Sequence, residues 1–333
     1  MNNKDITLKE IMAISGNYWY SCTLHAGVQL DLFTGIDDKK IYAKTLAEKL
    51  NADEHGVKVL LNALCAMGLL DKSDDYYSNT PLSRKFLCAD SKEYKGNMIM
   101  HHHHLMASWN QLGDTVISGG PVKESSKSLV SEEKRRESFL LGMFNTAMLN
   151  APNVVPVVDF SSKKSLLDLA GGPGTYAIQF CMKYPDLNAT VFDFPTTEPF
   201  FDKTVKQFNM EKRVKFKAGD LLTDDIGAHY DAAWLSHILH SESSADCYMF
   251  IKKVFDALEP GGEIVIHDFI LDNDKTAPEF PALFSLNMFL RTKQGRSYSK
   301  EEIVDMLEKA GFKNIEHILY ENPNSASLLC AQK

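Results

Sequence analysis

Two hydrophobic periods divide the chain near residue 155. Before it, apolar positions follow helical spacing; from residue 165 onward, short apolar runs alternate with amphipathic helical stretches. The sharpest feature is Ser165-Leu166-Leu167-Asp168-Leu169-Ala170-Gly171-Gly172-Pro173-Gly174, an apolar run with one acid that ends in a glycine-rich turn. A helical stretch, Thr175 to Lys183, follows at once, which predicts a buried strand, a tight loop and a helix N-terminus. The pattern predicts strands at 165–170, 188–193, 213–218, 230–236 and 262–270, and helices at 175–184, 196–209, 244–258 and 299–310. A last strand pair, near 313–320 and 325–331, closes the region. Such alternation is the signature of a doubly wound parallel α/β sheet. Residues 271–298 form an insertion with Pro278, Pro281 and an apolar helix from Leu283 to Leu290, at the end of the sheet where insertions cover substrates.

The first part of the chain reads differently. Residues 8–33 are helical and rich in large apolar groups (Ile11, Ile14, Tyr18, Trp19, Leu24, Val28, Leu32, Phe33), which suits packing on the same chain or a subunit interface. Thr45 to Leu50 and the run through Val57, Leu60, Leu61, Leu64 and Met67 predict two helices. Leu69-Leu70 and Tyr76-Tyr77, separated by a charged turn, predict a hairpin. Helix–turn–helix plus wing suggests a winged-helix module, whose obvious role is DNA binding. Thr45–Thr80 carries three basic residues against six acidic ones, however, and that balance argues against DNA. Residues 96–150 predict two or three long helices, the first opened by His101-His102-His103-His104, with His101, His102 and Leu105 toward the core. Neighbouring helical side chains diverge, so the run cannot converge on one ion, and pocket lining is the expected role.

Charge and composition narrow the classes. At 333 residues the chain has room for about two domains. The net charge of −8 disfavours general affinity for nucleic acid or anionic membrane, since a phosphate-binding surface needs a basic stripe. No apolar run approaches a membrane span, and no apolar signal core follows Met1–Asp5. Six scattered cysteines without a C-x-x-C pair fit a reducing cytoplasm.

The glycine loop suits the polar part of a nucleotide-like cofactor, because glycines allow close backbone approach and the helix start offers free N–H groups. Gly172-Pro173-Gly174-Thr175-Tyr176-Ala177 also satisfies the loose dinucleotide pattern G-x-G-x-x-A. Asp193, closing the next strand, is placed to hold a ribose diol, which NAD and S-adenosylmethionine (SAM) share. Asp220, His237, His240, His267 and Asp268 also fall at strand ends. A metal reading of His237, His240, His267 and Asp268 meets an objection: strand alternation points His267 and Asp268 to opposite faces.

Leu167 to Gly174, Phe192-Asp193-Phe194-Pro195, Ala218-Gly219-Asp220-Leu221, His240 and Leu258-Glu259-Pro260-Gly261-Gly262 occur in the order of SAM-dependent methyltransferases. With the winged-helix start, the whole chain resembles the caffeate/hydroxyindole O-methyltransferase family and its bacterial relatives. The resemblance implies a Rossmann-like, doubly wound sheet with an antiparallel last strand. It further implies a winged-helix dimerisation domain at 1–95, a helical linker contributing to the substrate pocket at 96–155, and a SAM-binding domain at 156–333. It implies SAM as cofactor, a small-molecule methyl acceptor and an intertwined homodimer, with neither nucleic acid nor membrane as partner.

The roles it implies follow position by position. Gly171, Gly172 and Gly174 cradle the methionine part of SAM, Asp193 holds the ribose, and Asp220 and Leu221 border the adenine. Ser236 stands where the family has a cofactor-contacting residue, often lysine. His240 matches the general base. Phe139, Met143 and Met288 wall the substrate pocket, and His101 lines it. The chain departs from the family at Ser241 and Ser297, where acids are usual, and Asp268 is a shortened form of the usual Glu, so the base has less support. That leaves an unusually acidic hydroxyl, a carbon, nitrogen or sulfur acceptor, or non-transfer use of SAM as readings beside ordinary O-methylation. Outside the family, the rivals are an NAD(P)-dependent oxidoreductase and a SAM-sensing transcription regulator.

Overall fold

The computed structural model describes residues 6–121 and 132–333. They divide into two compact units, the described parts of 1–106 with 130–145, and of 107–129 with 146–333. The segment 96–155 is thereby shared between the units.

The first unit begins with α1 (Leu8–Gly16), α2 (Tyr18–Gln29) and α3 (Leu32–Ile36), where the sequence predicts one helical stretch. Asp31, in the left-handed backbone region, makes the break before α3. Next come β1 (Ile41–Tyr42), α4 (Ala43–Leu50), α5 (Glu54–Ala66), β2 (Leu70–Ser73), β3 (Tyr76–Asn79) and α6 (Pro81–Leu87). The expected helix–helix–hairpin order is present, and β1 completes a three-stranded antiparallel sheet in the order β1-β3-β2. Leu32, Phe33, Ile36, Leu61 and Leu64 form its core. On α1 and α2, Ile11, Ile14, Tyr18 and Trp19 are exposed. Helix α7 (Gly96–Trp109) starts before the histidine run rather than at it, and His102, expected toward the core, is exposed.

The second unit contains α8 (Leu112–Ser118), the end of α9 (Glu132–Val154), β4 (Ser165–Leu169), α10 (Thr175–Lys183), β5 (Asn188–Asp193), α11 (Glu198–Gln207), β6 (Val214–Ala218) and β7 (Tyr230–Ser236). It continues with α12 (Ser244–Ala257), β8 (Leu258–Asp268), α13 (Glu279–Arg291), α14 (Lys300–Ala310), β9 (Lys313–Leu319) and β10 (Ser327–Gln332). The seven strands lie in the order β6-β5-β4-β7-β8-β10-β9, with β10 antiparallel to both neighbours. Apolar cores cover both faces, which is why the central strands read as continuous apolar runs. Leu167, Leu235, Ile264 and Ile266 meet Phe250, Ile251 and Leu307 on one side; Leu166, Val191, Trp234 and Val265 meet Ile178, Phe180 and Phe201 on the other.

Strand β8 starts at Leu258, earlier than the glycines suggest. Leu258 pairs with Tyr230 before the left-handed Gly261, and regular pairing with β7 resumes at Glu263. The connection from β7 to α12 is set by Ser243, whose hydroxyl accepts from the Asp246 N–H and so caps the helix. Ser243→Ala is expected to lower stability by about 1 kcal/mol, read as a drop in the urea unfolding midpoint with an unchanged slope.

Candidate active site

The chain winds outward from β4 to β6, then returns to place β7 on the other side of β4. That reversal opens a crevice at the carboxyl ends of the strands, where ligands of such sheets sit. A cleft lies there, lined by Ala170, Asp193, Asp220, Leu221, Ile238 and Glu242 among others. Three of the residues singled out in the sequence, Asp193, Asp220 and Leu221, thus share one wall.

The glycine loop closes beside them. The Asp193 carboxylate accepts hydrogen bonds from the N–H groups of Gly172 (2.8 Å) and Phe194 (2.7 Å) and from the Thr197 hydroxyl (3.0 Å). Beneath the loop lies Asp168, 1% exposed. A Cβ on Gly171 would come within 2.5 Å of its carboxyl carbon, so only glycine lets the loop lie this close. One carboxyl oxygen of Asp168 accepts the Ala177 N–H at 3.2 Å, and the other has no partner among the described residues. Burial pushes its pKa up to about 7, partly countered by that N–H, with the Asp193 charge adding to the rise. The acid breaking an apolar run marked Asp168 in the sequence, but its unpartnered oxygen shows only in the fold.

At the next two strand ends, His240 Nδ1 lies 2.6 Å from Asp268 Oδ1, which also accepts the Phe269 N–H at 2.8 Å. Burial favours protonation of Asp268, yet His240 and His237 beside it overcome that and hold the carboxyl well below its usual range. Asp268 is therefore ionised, His240 donates from Nδ1, and Nε2 is left as the basic atom. His240 is 8% exposed and lies edge-on to Phe284 at 4.7 Å, with Phe269 stacked at 5.9 Å. Phe284 belongs to α13, so the insertion walls the histidine, and Met288 sits buried one turn further along the same helix. A Cβ on Gly295 would meet the His240 carbonyl at 2.6 Å, a close approach the sequence did not flag.

The two serines at the family's acid positions are turned elsewhere. Ser241 donates to the Ile238 carbonyl at 2.8 Å, and Ser297 to the Pro281 carbonyl at 2.8 Å. Ser236 bonds His267 Nδ1 at 2.8 Å, and His267 Nε2 bonds the Tyr320 hydroxyl at 2.7 Å. Both His267 nitrogens are thus engaged away from Asp268, in line with the opposite-face expectation. His237, by contrast, lies 3.6 Å from Asp268 Oδ1.

The first unit holds the other three proposed pocket residues. The rings of His101 and Phe139 lie 5.3 Å apart, and Met143 is half-buried. His25 and His103 meet edge to face at 5.5 Å, and the histidine run forms no group of three potential ligands among the described residues.

A doubly wound sheet with a glycine loop, an acid closing the next strand and a carboxylate-backed histidine is the frame of a cofactor-dependent α/β enzyme. Residues 109–313 match the O-methyltransferase domain and residues 12–89 the O-methyltransferase dimerisation domain. The chain belongs to the O-methyltransferase family and is a SAM-dependent methyltransferase. It is 28% identical over 319 residues to the 3-hydroxy-5-methyl-1-naphthoate 3-O-methyltransferase of Streptomyces sahachiroi, covering 95% of this chain and 92% of that one. It is 28% identical over 324 residues to the tetracenomycin polyketide synthesis 8-O-methyl transferase of Streptomyces glaucescens, covering 96% and 95%. A solved O-methyltransferase family protein from Burkholderia thailandensis superposes with a TM-score of 0.86 at 26% identity, covering 98% of each chain. Among the described residues no helix is long and apolar enough to cross a membrane.

Proposed function

We propose that the protein methylates a hydroxyl oxygen on a small aromatic acceptor, with His240 as general base and Asp268 as its positioning partner. The short His240–Asp268 bond, with Nε2 left basic beside an aromatic wall, carries this reading. The aromatic substrates named for the two Streptomyces relatives support it.

The site fits SAM. The Asp193 carboxylate on the cleft wall suits a ribose diol, the apolar Leu221 suits a flat base beside Asp220, and Asp168, buried beneath the loop, adds a carboxylate behind it. Gly172 faces open space; with Gly171 and Gly174 it remains assigned to the methionine part, and Ser236 to the cofactor side. When bound, SAM supplies a methyl group already activated on a sulfonium. The protein's share is alignment and exclusion of water. His240 Nε2 takes the acceptor's hydroxyl proton, and Asp268 stabilises the imidazolium that results. Phe284 and Met288 wall the acceptor side beside His240; Phe139, Met143 and His101 remain assigned to the substrate by the family resemblance.

The same reading makes residues 1–95 a pairing module, 96–155 a helical linker and 156–333 the SAM domain, working as a homodimer in the reducing cytoplasm. The dimerisation-domain match and the exposed apolar residues of α1 and α2 support the pairing, and the acidic balance of 45–80 argues against a DNA-reading winged helix.

Calorimetric titration with SAM and then NADH, followed by a screen of phenolic, amine and thiol acceptors, tests the reading. Micromolar SAM binding with transfer to phenols is expected; transfer to amines or thiols alone would move the acceptor atom. Affinity for SAM should also rise with pH. Below pH 7 the free protein holds Asp168 protonated, above it ionised, and only the ionised form attracts a cation. Binding should be weaker at pH 6 than at pH 8, a dependence that Asp168→Asn reduces.

A further inference from the structure

We propose that His237, His240 and Asp268 form a site for a divalent transition-metal ion of the zinc type, and that filling it shuts the enzyme off. One potential ligand atom from each residue lies within 4.8 Å of the other two. His240 and Asp268 have a direct place in the reaction proposed above; His237 only adds to the charge that holds Asp268 ionised. Yet neither ring nitrogen of His237 nor Asp268 Oδ2 has a hydrogen-bond partner among the described residues, the nearest approach being His237 Nδ1 to Asp268 Oδ1 at 3.6 Å. Leaving such buried groups unpaired is costly, which points to a ligand. The His237 backbone is also held in the left-handed region, φ 56°, by its N–H bond to the His267 carbonyl at 2.8 Å.

Two imidazoles and one carboxylate, with a further position open, are a donor set for zinc and its neighbours. Calcium and magnesium prefer oxygen-only shells and are disfavoured. Phe269, 4.5 Å from the His237 ring, and Phe284 wall the cluster from water. His267 is not a ligand, since both its nitrogens are engaged by Ser236 and Tyr320. His240 and Asp268 touch at 2.6 Å through a proton. Two ligands of a tetrahedral zinc ion stand about 3.3 Å apart, so a small parting of the pair lets the ion replace that proton as the bridge. If the ion takes Nδ1, the proton shifts to Nε2 of the same ring; if it takes Nε2, the lone pair is used. In both cases His240 can no longer accept a proton. The shut-off rests on the base role of His240, whereas the binding itself does not.

The test uses the intact, metal-free protein titrated with Co²⁺ and then Zn²⁺, beside His237→Asn, chosen because Asn tolerates a left-handed backbone. A visible Co²⁺ absorption band that Zn²⁺ displaces is expected, with one equivalent lost in the variant. Turnover without metal should stay measurable in the variant, any fall reflecting the lost His237 charge beside Asp268, while the Zn²⁺ concentration for half-inhibition, each protein read against its own metal-free rate, rises at least about tenfold. An unchanged SAM affinity certifies that the variant is folded. Equal metal equivalents and equal inhibition in both proteins would overturn the site, and binding without inhibition would overturn the shut-off. Because the Co²⁺ band needs no turnover, failure of the metal site is distinguishable from failure of the His240 mechanism.

Discussion

His240→Ala is expected to lower kcat by about a thousandfold, within the range general bases contribute, while leaving SAM affinity nearly unchanged. The fall corresponds to about 4 kcal/mol of transition-state stabilisation. The physical ground is the separation of roles: His240 stands on the turn after β7, bonded to Asp268 and walled by Phe269 and Phe284, whereas the glycine loop and Asp193 stand on the other side of the strand reversal. Residual activity should climb with pH, because a phenol that ionises unaided near pH 10 needs no base. Asp268→Asn should cost less than the loss of His240, since a neutral partner still orients the ring but no longer stabilises its cation. Steady-state kinetics over a pH series decides the matter, and an unchanged kcat in His240→Ala removes that residue from the chemistry.

Asp193→Ala should instead strike binding. Its carboxylate holds the N–H groups of Gly172 and Phe194 and the Thr197 hydroxyl, and in the proposed complex also the ribose diol. Hydrogen bonds to a charged acceptor contribute about 1.5–3 kcal/mol each, so the Kd for SAM should rise about 100-fold, with kcat at saturating SAM changed only a few-fold. Calorimetry separates the outcomes: an unaltered Kd withdraws the ribose assignment.

The different visibility of these residues has physical causes. The strand before the glycine loop is legible because a sheet buried on both faces demands a continuous apolar run, and the loop's conformation demands glycine. Strand ends are legible because the run stops, which placed Asp193, Asp220, Ser236 and Asp268 within a residue or two of where the structure has them. Helix α13 starts earlier than its apolar core, at Glu279 after Pro278, because a first turn is chosen by capping and charge rather than by burial. The role of Ser297 was not legible, since its partner, the Pro281 carbonyl, comes from the opposite end of the same insertion. Gly295 escaped notice for the same reason: the backbone it accommodates is that of His240.

The amino-acid sequence by itself determined the periodicity of both halves, the order of strands and helices from Ser165 onward, and the residue types available at the strand ends. These follow from local rules, since burial sets the repeat and turn chemistry ends it. Only the tertiary structure decided which of those residues meet. It joined His240 to Asp268 and set His237 against the same carboxylate, while His267 turned to Ser236 and Tyr320. It also buried Asp168 under Gly171, with one oxygen unpartnered among the described residues. Such pairings depend on strand order and side-chain direction across elements far apart in the chain, and no local pattern encodes a distance between them.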